Sequence, residues 1–333
     1  MEENSLRPPL GNKNINTIAF QIFGDAGAII GKPEPIPPNR KTYTYSCQLK
    51  GSAQVIVKYA PLKEVENQVA ANQLNLNAPR VLGNPFVIDE ENERGERSEK
   101  AWFAQEFIQN SKTLHALVAE EGYSDLVLGS FNESIRLLAK MHGSLNEFVA
   151  LSALPRFSQE EAYAKLEERM RRFEGAFERY DQEKVGNSET ERWKNTLAKI
   201  DKTALTRFWN DGETLVRWDY KPDNLLIQQN GGLRVFSIDW VGLCIGSPWI
   251  DLGFLLSDLP KDKRMRAAKV YLNSRKIEMG EEKVLNNLRM GVAGAQLIHA
   301  SSNASNLTNN IDPEYSMQRL SSHLNQLEKE LTE

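Results

Sequence analysis

Two cysteines, Cys47 and Cys244, are all that 333 residues contain, and they lie far apart in apolar, strand-like surroundings. That excludes a disulfide framework as the source of stability and leaves reduced core thiols, the usual state in a cytoplasmic protein, as the expectation. Basic charge is not in excess: 41 Lys and Arg stand against 45 Asp and Glu, a formal net charge of -4. With no basic stripe, no nucleic-acid partner is expected. The acidity is equally too slight to single out a cationic substrate. Apolar runs stay well short of the ~20 residues a membrane-crossing helix needs, and MEENSLRPPLGNKN at the start is polar with no apolar centre. Neither a membrane anchor nor a signal peptide is expected, and the chain reads as cytoplasmic. Internal repeats are absent as well.

What is present is enough chain for two domains, or one two-lobed unit, with a substantial core. Residues 1–40 are rich in Pro, Asn and Gly around one strand-like stretch, INTIAFQIFG. From Lys41 the alternation in TYTYSCQLKGSAQVIVKYA predicts a hairpin turning at Lys50-Gly51-Ser52. KEVENQVAANQL then predicts a helix ending near Pro79, since the residue before proline is driven out of the helical region. NPFVID and AWFAQEFI predict a strand pair, and the charged run between them a solvated tip. Beyond Thr113 helical spacing dominates. FNESIRLLAKMHGSL should start a helix at Asn132, and Gln159 to Thr206 should form one or two amphipathic helices. The expected class is α+β: a strand-rich first part (1–108) with one helix, then a mainly helical part (109–333) holding one strand pair.

That strand pair flanks the most informative stretch, LVRWDYKPDNLLIQ, residues 215–228. Asp219 and Asn224 stand there in the spacing D-x-x-x-x-N between two apolar ends. A second carboxylate, Asp239, follows the next strand in FSIDW. An aspartate with an amide oxygen offers the oxygen ligands that a hard cation such as Mg²⁺ takes. Phosphoryl transfer needs those groups, plus a lysine on the phosphates and a carboxylate orienting the attacking hydroxyl. Lys58, at the end of VIVKYA, and Glu66, on the following helix, supply a candidate lysine–glutamate pair. Each group alone is commonplace; their order along the chain carries the reading.

That order, with RWDYKPDNLLI, FSIDW and GSPWIDLGFLL, resembles the aminoglycoside phosphotransferase and choline kinase superfamily, from about Lys41 to the carboxyl terminus. The resemblance implies a protein-kinase-like fold with two lobes. The small β-rich amino-terminal lobe would bind nucleotide, and the larger, mainly helical lobe would carry catalysis and substrate. It implies an ATP- and Mg²⁺-dependent transfer of the γ-phosphate to a hydroxyl of a small molecule, by a monomer or homodimer. Asp219 would be the catalytic base, and Asn224 and Asp239 the metal ligands. Lys58 would hold the phosphates, paired with Glu66 or, if the helix register slips, with Glu64. Gln105, Glu106, Phe107 and Ile108 would form the adenine-binding hinge. Asp251 would brace the catalytic loop, His142 would be a satisfied core histidine, and Lys221 would either steady the phosphate beside Asp219 or face solvent.

Two departures from the family pattern stand out. Arg217 and Trp218 occupy the places of the usual histidine and glycine, which calls for altered backbone geometry at Trp218. The phosphate-binding loop falls on Pro37 to Thr42 and has no glycines, so the side chains of Asn39 and Thr42, with Arg40 or Lys41, are left to contact phosphate. A protein kinase is disfavoured: D-F-G and A-P-E are absent, and only eleven residues separate Asp239 from Asp251. A nucleotide-binding pseudoenzyme with a regulatory or partner-binding role is the alternative that the altered R-W-D raises.

Overall fold

The computed structural model describes residues 12–36, 43–51, 53–91, 97–156, 159–183, 188–200 and 213–332. Its helices are α1 Asn12–Phe23, α2 Leu62–Gln73, α3 Leu114–Glu121, α4 Asp125–Gly143, α5 Leu145–Leu151, α6 Gln159–Glu183, α7 Ser188–Ala198, α8 Pro248–Leu256, α9 Lys261–Arg275, α10 Glu281–Thr308 and α11 Pro313–Thr332. The strands are β1 Ile29–Pro35, β2 Tyr43–Leu49, β3 Gln54–Pro61, β4 Val81–Glu91, β5 Arg97–Glu106, β6 Ser111–Thr113, β7 Thr214–Val216, β8 Leu225–Gln228, β9 Arg234–Ser237 and β10 Cys244–Gly246. The chain divides into two compact units. The first takes Met1–Glu133, Asn146–Ala153 and Asp223–Gly242, and the second Ser134–Leu145, Leu154–Pro222 and Leu243–Glu333. These units are drawn differently from a cut at residue 108, because the strand pair β8–β9 packs with the first.

In the first unit, β1-β2-β3-β5-β4 form an antiparallel sheet. Alternation along β3 sorts its side chains onto two faces. Val55, Val57 and Tyr59 join Trp102 and Ala104 of β5 in a cluster with Ile18, Ala19 and Ile22 of α1. On the opposite face Ala60, Ala101 and Phe103 pack on Val65 of α2. Lys58 has the parity of Ala60, so its side chain lies on the α2 face. The hairpin turn expected at Gly51 is there, with Gly51 at φ +98°.

INTIAFQIFG is not a strand. It lies in α1, whose buried residues Ile18, Ala19 and Ile22 follow helical spacing; its isoleucines and phenylalanines suit a strand locally, but a helical stripe matches the sheet face it covers. Gly83 makes room for that helix: at φ +68°, a Cβ there would sit 2.4 Å from the Ile22 carbonyl oxygen. The helix expected from Asn132 instead begins at Asp125, with the Ser124 hydroxyl accepting the Val127 N–H at 3.3 Å; a serine cap two turns earlier outcompetes the interior asparagine.

In the second unit β7 pairs with β10. Helices α8 and α10 cross so closely that a Cβ on Gly253 would lie 2.1 Å from the Gly291 carbonyl oxygen. Phe177 and Trp193 stack between α6 and α7. Arg264 is buried on Glu330 at 2.6 Å and also donates to the Leu259 and Ser257 carbonyls, so its charge is fully answered. Cys47 and Cys244 are both buried, and neither is in a disulfide. No helix among the described residues is long and apolar enough to cross a membrane.

Candidate active site

The chemistry-bearing groups of the first unit meet at Lys58. Its ammonium lies 2.5 Å from Glu64 Oε1 and 3.2 Å from Asp239 Oδ1, with the lysine and Glu64 side chains almost wholly buried. Burial alone would lower the Lys58 pKa. The two carboxylates outweigh it and hold that pKa above the ordinary lysine value, so Lys58 is a fixed cation.

The glutamate is Glu64, and the pairing expected for Glu66 does not form. Glu66 is exposed and bonds Lys63 at 3.1 Å. The physical reason is helix phase: Glu64, Val65, Asn67 and Gln68 make up the buried side of α2, and Glu66 falls outside it.

Asp239 is positioned from both sides. Before it, the Ile238 N–H donates to the Asn224 carbonyl at 3.0 Å, tying the end of β9 to the residue just before β8. After it, Asn67 of α2 donates to the Trp240 carbonyl at 2.9 Å. Asp239 itself has φ +68°, a left-handed conformation that aspartate tolerates better than most residues. Asn224 closes a short 3-10 turn, Pro222–Asn224, and is buried. An amide oxygen and a carboxylate are oxygen donors of the hard type that suits a divalent cation such as Mg²⁺. Groups of three or more His, Cys, Asp or Glu that could hold a metal by themselves are absent among the described residues.

Of the expected hinge, Gln105 is buried, with its side-chain oxygen accepting from Gln68 Nε2 at 2.9 Å. The Glu106 N–H donates to the Arg80 carbonyl at 2.9 Å, and the Ile108 carbonyl accepts from Ser111 Oγ at 2.7 Å. Glu106, Phe107 and Ile108 also line a cleft of about 580 Å³ with Asn72, Asn77 and Arg234. That cleft includes none of Lys58, Asn224 and Asp239. Asn39, Thr42, Arg40 and Lys41 lie outside the described residues.

In the second unit, the loop after β7 is organised by one buried carboxylate. Asp251 accepts the Arg217 N–H at Oδ2 and the Trp218 N–H at Oδ1, both at 2.9 Å. His142 Nε2 lies 3.2 Å from Asp251 Oδ2, and its Nδ1 lies 2.8 Å from Tyr271 Oη. Burial lowers the His142 pKa against the partial opposition of Asp251, so the ring is neutral. A carboxylate only accepts, so Nε2 carries the proton and Nδ1 accepts from the tyrosine hydroxyl. His142 is thus satisfied within the core.

Trp218 adopts φ +60°, the left-handed geometry that glycine would take without strain. Arg217 is wholly buried, its guanidinium 5.6 Å from the Tyr220 ring centroid, and Tyr220 Oη donates to the Ser134 carbonyl at 2.8 Å. Asp219 stays reachable: its side chain is 30% exposed and pairs with Lys221 Nζ at 2.8 Å.

Asn67, Gln68 and Tyr271 were not singled out by sequence. The only signal for the first two is a pair of amides on the apolar face of a helix, and for Tyr271 there is none.

The family model described as the phosphotransferase enzyme family matches residues 42–285. No curated protein sequence matches. Among solved structures, a choline/ethanolamine kinase family protein from Mesorhizobium loti superposes with a TM-score of 0.66 at 13% identity, covering 96% of this chain and 95% of its own. A putative aminoglycoside phosphotransferase from Ralstonia eutropha gives 0.62 at 13% identity, covering 96% and 98%. An amicoumacin kinase in complex with AMP-PNP and Ca²⁺ gives 0.58 at 10% identity, covering 99% and 96%. At these identities the likeness is one of fold.

Proposed function

Because the chain belongs to the phosphotransferase enzyme family, as a small-molecule kinase, we propose that it transfers the γ-phosphate of ATP to a hydroxyl of a small molecule, in the cytoplasm. The observation that carries this reading is Lys58 held between Glu64 and Asp239. An ammonium buried at that depth, charged and aimed by two carboxylates, suits the α and β phosphates of a nucleotide. The amicoumacin kinase of like fold, in complex with AMP-PNP and Ca²⁺, agrees with a nucleotide and a divalent cation here.

The lobe that binds nucleotide is taken as residues 1–108, and the lobe that carries catalysis and acceptor as 109–333. Gln105 to Ile108 form the adenine hinge. With the Glu106 N–H committed to Arg80, contact with the base falls to the neighbouring backbone of Phe107 and Ile108. Asn224 and Asp239 hold Mg²⁺, which when bound neutralises charge developing on the phosphates. Glu64, at 2.5 Å, keeps the lysine oriented.

Asp219 is the base. It accepts the proton of the acceptor hydroxyl as the oxygen attacks the γ-phosphorus and the bond to the β,γ-bridging oxygen breaks, releasing ADP; Lys221, already 2.8 Å away, offers its positive charge to the transferring group. The brace from Asp251 fixes the backbone from which Asp219 projects. Trp218 in the left-handed conformation is a specific observation against the pseudoenzyme alternative, since the loop keeps the geometry that a glycine would supply.

The test is transfer from Mg·ATP to a panel of hydroxylated small molecules, followed by mass shift, with Asp219→Ala alongside. Loss of the base should lower the rate about 10²- to 10⁴-fold. Nucleotide binding without transfer to any acceptor would favour the pseudoenzyme, and absence of nucleotide binding would remove both readings.

A further inference from the structure

The acceptor's chemical class can be read further, on the reading of the chain as a small-molecule kinase, from groups that all belong to the second unit. Lys221, the partner of Asp219, acts electrostatically on two histidines, His299 of α10 and His323 of α11. Their rings stack with centroids 5.1 Å apart, and Phe254 of α8 meets His299 edge-on at 5.0 Å. His323 Nδ1 lies 2.6 Å from Gln296 Oε1. Arg169 of α6 donates to Ser301 Oγ at 2.9 Å, close to Gln296 and His299 along α10. Arg319 of α11 lies one turn before His323.

Two properties of this cluster point to a ligand. The first is charge. Burial is the main cause that lowers both histidine pKa values; Arg319 and Lys221 act in the same direction, bringing His323 to about 3 in all, and at His299 the neighbouring His323 and Arg169 add to the effect. The charges that act on these rings are cationic. Asp219 is paired with Lys221, and Glu168, next to Arg169, is paired with Arg172.

The second property is hydrogen bonding. The His323 ring is neutral, so Nδ1 donates to the Gln296 oxygen and Nε2 is left as an acceptor. His323 Nε2 and Gln296 Nε2 are both buried without a partner, on residues 6% and 0% exposed. One is an acceptor and the other a donor. A hydroxyl is both at once, and so is the group that answers them.

We propose that the phosphate acceptor is a polyhydroxylated anion, such as a sugar acid or hydroxycarboxylate, whose acidic group is received by Arg169 and Arg319 and whose hydroxyls meet His323 and Gln296 on the way to Asp219. An ammonium-bearing acceptor would instead meet three cations offset by one carboxylate. The aromatic cage that recognises a quaternary amine is not what surrounds His299, whose ring partners are Phe254 and His323.

The experiment measures binding by calorimetry and turnover with Mg·ATP for gluconate, glycerate, glucose, choline and kanamycin, on the wild-type chain and on Arg319→Gln and Arg319→Lys. The expected result is binding and phosphorylation of an acid at least ten-fold more efficient than of choline or kanamycin. Arg319→Gln should raise the Kd and KM for that acid about ten-fold with kcat within three-fold, and Arg319→Lys should restore most of the loss. Preference for choline or kanamycin, no binding of either acid, or an Arg319→Gln chain with unchanged acid affinity would overturn the proposal while leaving the kinase reading intact. An acid that binds in an Arg319-dependent way but is never phosphorylated would support the ligand class and instead remove the kinase reading.

Discussion

Replacing Asp251 tests whether one buried carboxylate organises the catalytic loop. Its side chain is wholly buried and accepts three hydrogen bonds, from the Arg217 and Trp218 amides at 2.9 Å and from His142 Nε2 at 3.2 Å. In Asp251→Asn the volume is kept, but one oxygen becomes an NH₂ that faces a donor. Leaving a buried donor unanswered costs ~1–3 kcal/mol. One or two such losses, less the desolvation recovered by removing a buried charge, give a net destabilisation of about 2–4 kcal/mol. Asp251→Ala removes all three acceptor contacts and opens a cavity, so it should cost at least as much. The rate effect follows from position: Asp219 is the next residue after Trp218, and a shift of about 1 Å in a reacting group can cost on the order of 10²-fold. The assays are urea unfolding followed by fluorescence, and steady-state transfer with KM for ATP measured separately. The expected outcome is a lower unfolding midpoint, a lower kcat and little change in KM for ATP. An Asp251→Asn chain unfolding within about 1 kcal/mol of wild type, with kcat unchanged, would refute the bracing role.

Glu64→Gln should lower activity and destabilise by roughly 1–3 kcal/mol, because buried Lys58 keeps only Asp239, whereas Glu66→Gln should stay within about 0.5 kcal/mol; thermal melts and ATP titrations compare the two. Trp218→Gly should be more stable than Trp218→Ala by about 1 kcal/mol, since both delete the indole and only glycine relaxes φ +60°; equal melts would count against that backbone geometry. Acid should destabilise the fold through its histidines. The His323 pKa is about 3 when folded and about 6.5 when unfolded, so the unfolded chain takes up a proton the folded one refuses, and stability falls as pH drops below about 6.5. Between pH 7 and pH 5 this one group should remove about 2 kcal/mol, with the lowered pKa values of His142 and His299 adding in the same direction. Unfolding midpoints measured across that range check the slope, and its reduction in His323→Gln would isolate the contribution.

The family was legible in one dimension because the motifs that carry it are local or rigidly spaced. D-x-x-x-x-N puts Asp219 and Asn224 on one loop, Asp239 follows a short apolar strand, and Lys58 lies within a longer one. The choice between Glu64 and Glu66 was not legible. Two residues on a helix differ by about 200° of rotation, and which side faces Lys58 depends on how α2 is seated against β3. The helix over INTIAFQIFG was missed for a related reason: isoleucine and phenylalanine suit either element, and the sheet face formed by Val55, Val57, Tyr59 and Trp102 decides between them.

By itself the sequence determined the α+β order and the motif set of the phosphotransferase family. Tertiary structure decided which glutamate holds Lys58, that Trp218 takes the conformation of the glycine it replaces, and that His299 and His323 stack on one another. Those outcomes depend on how elements distant in sequence pack on one another, and the packing that makes such contacts leaves no periodicity in the sequence.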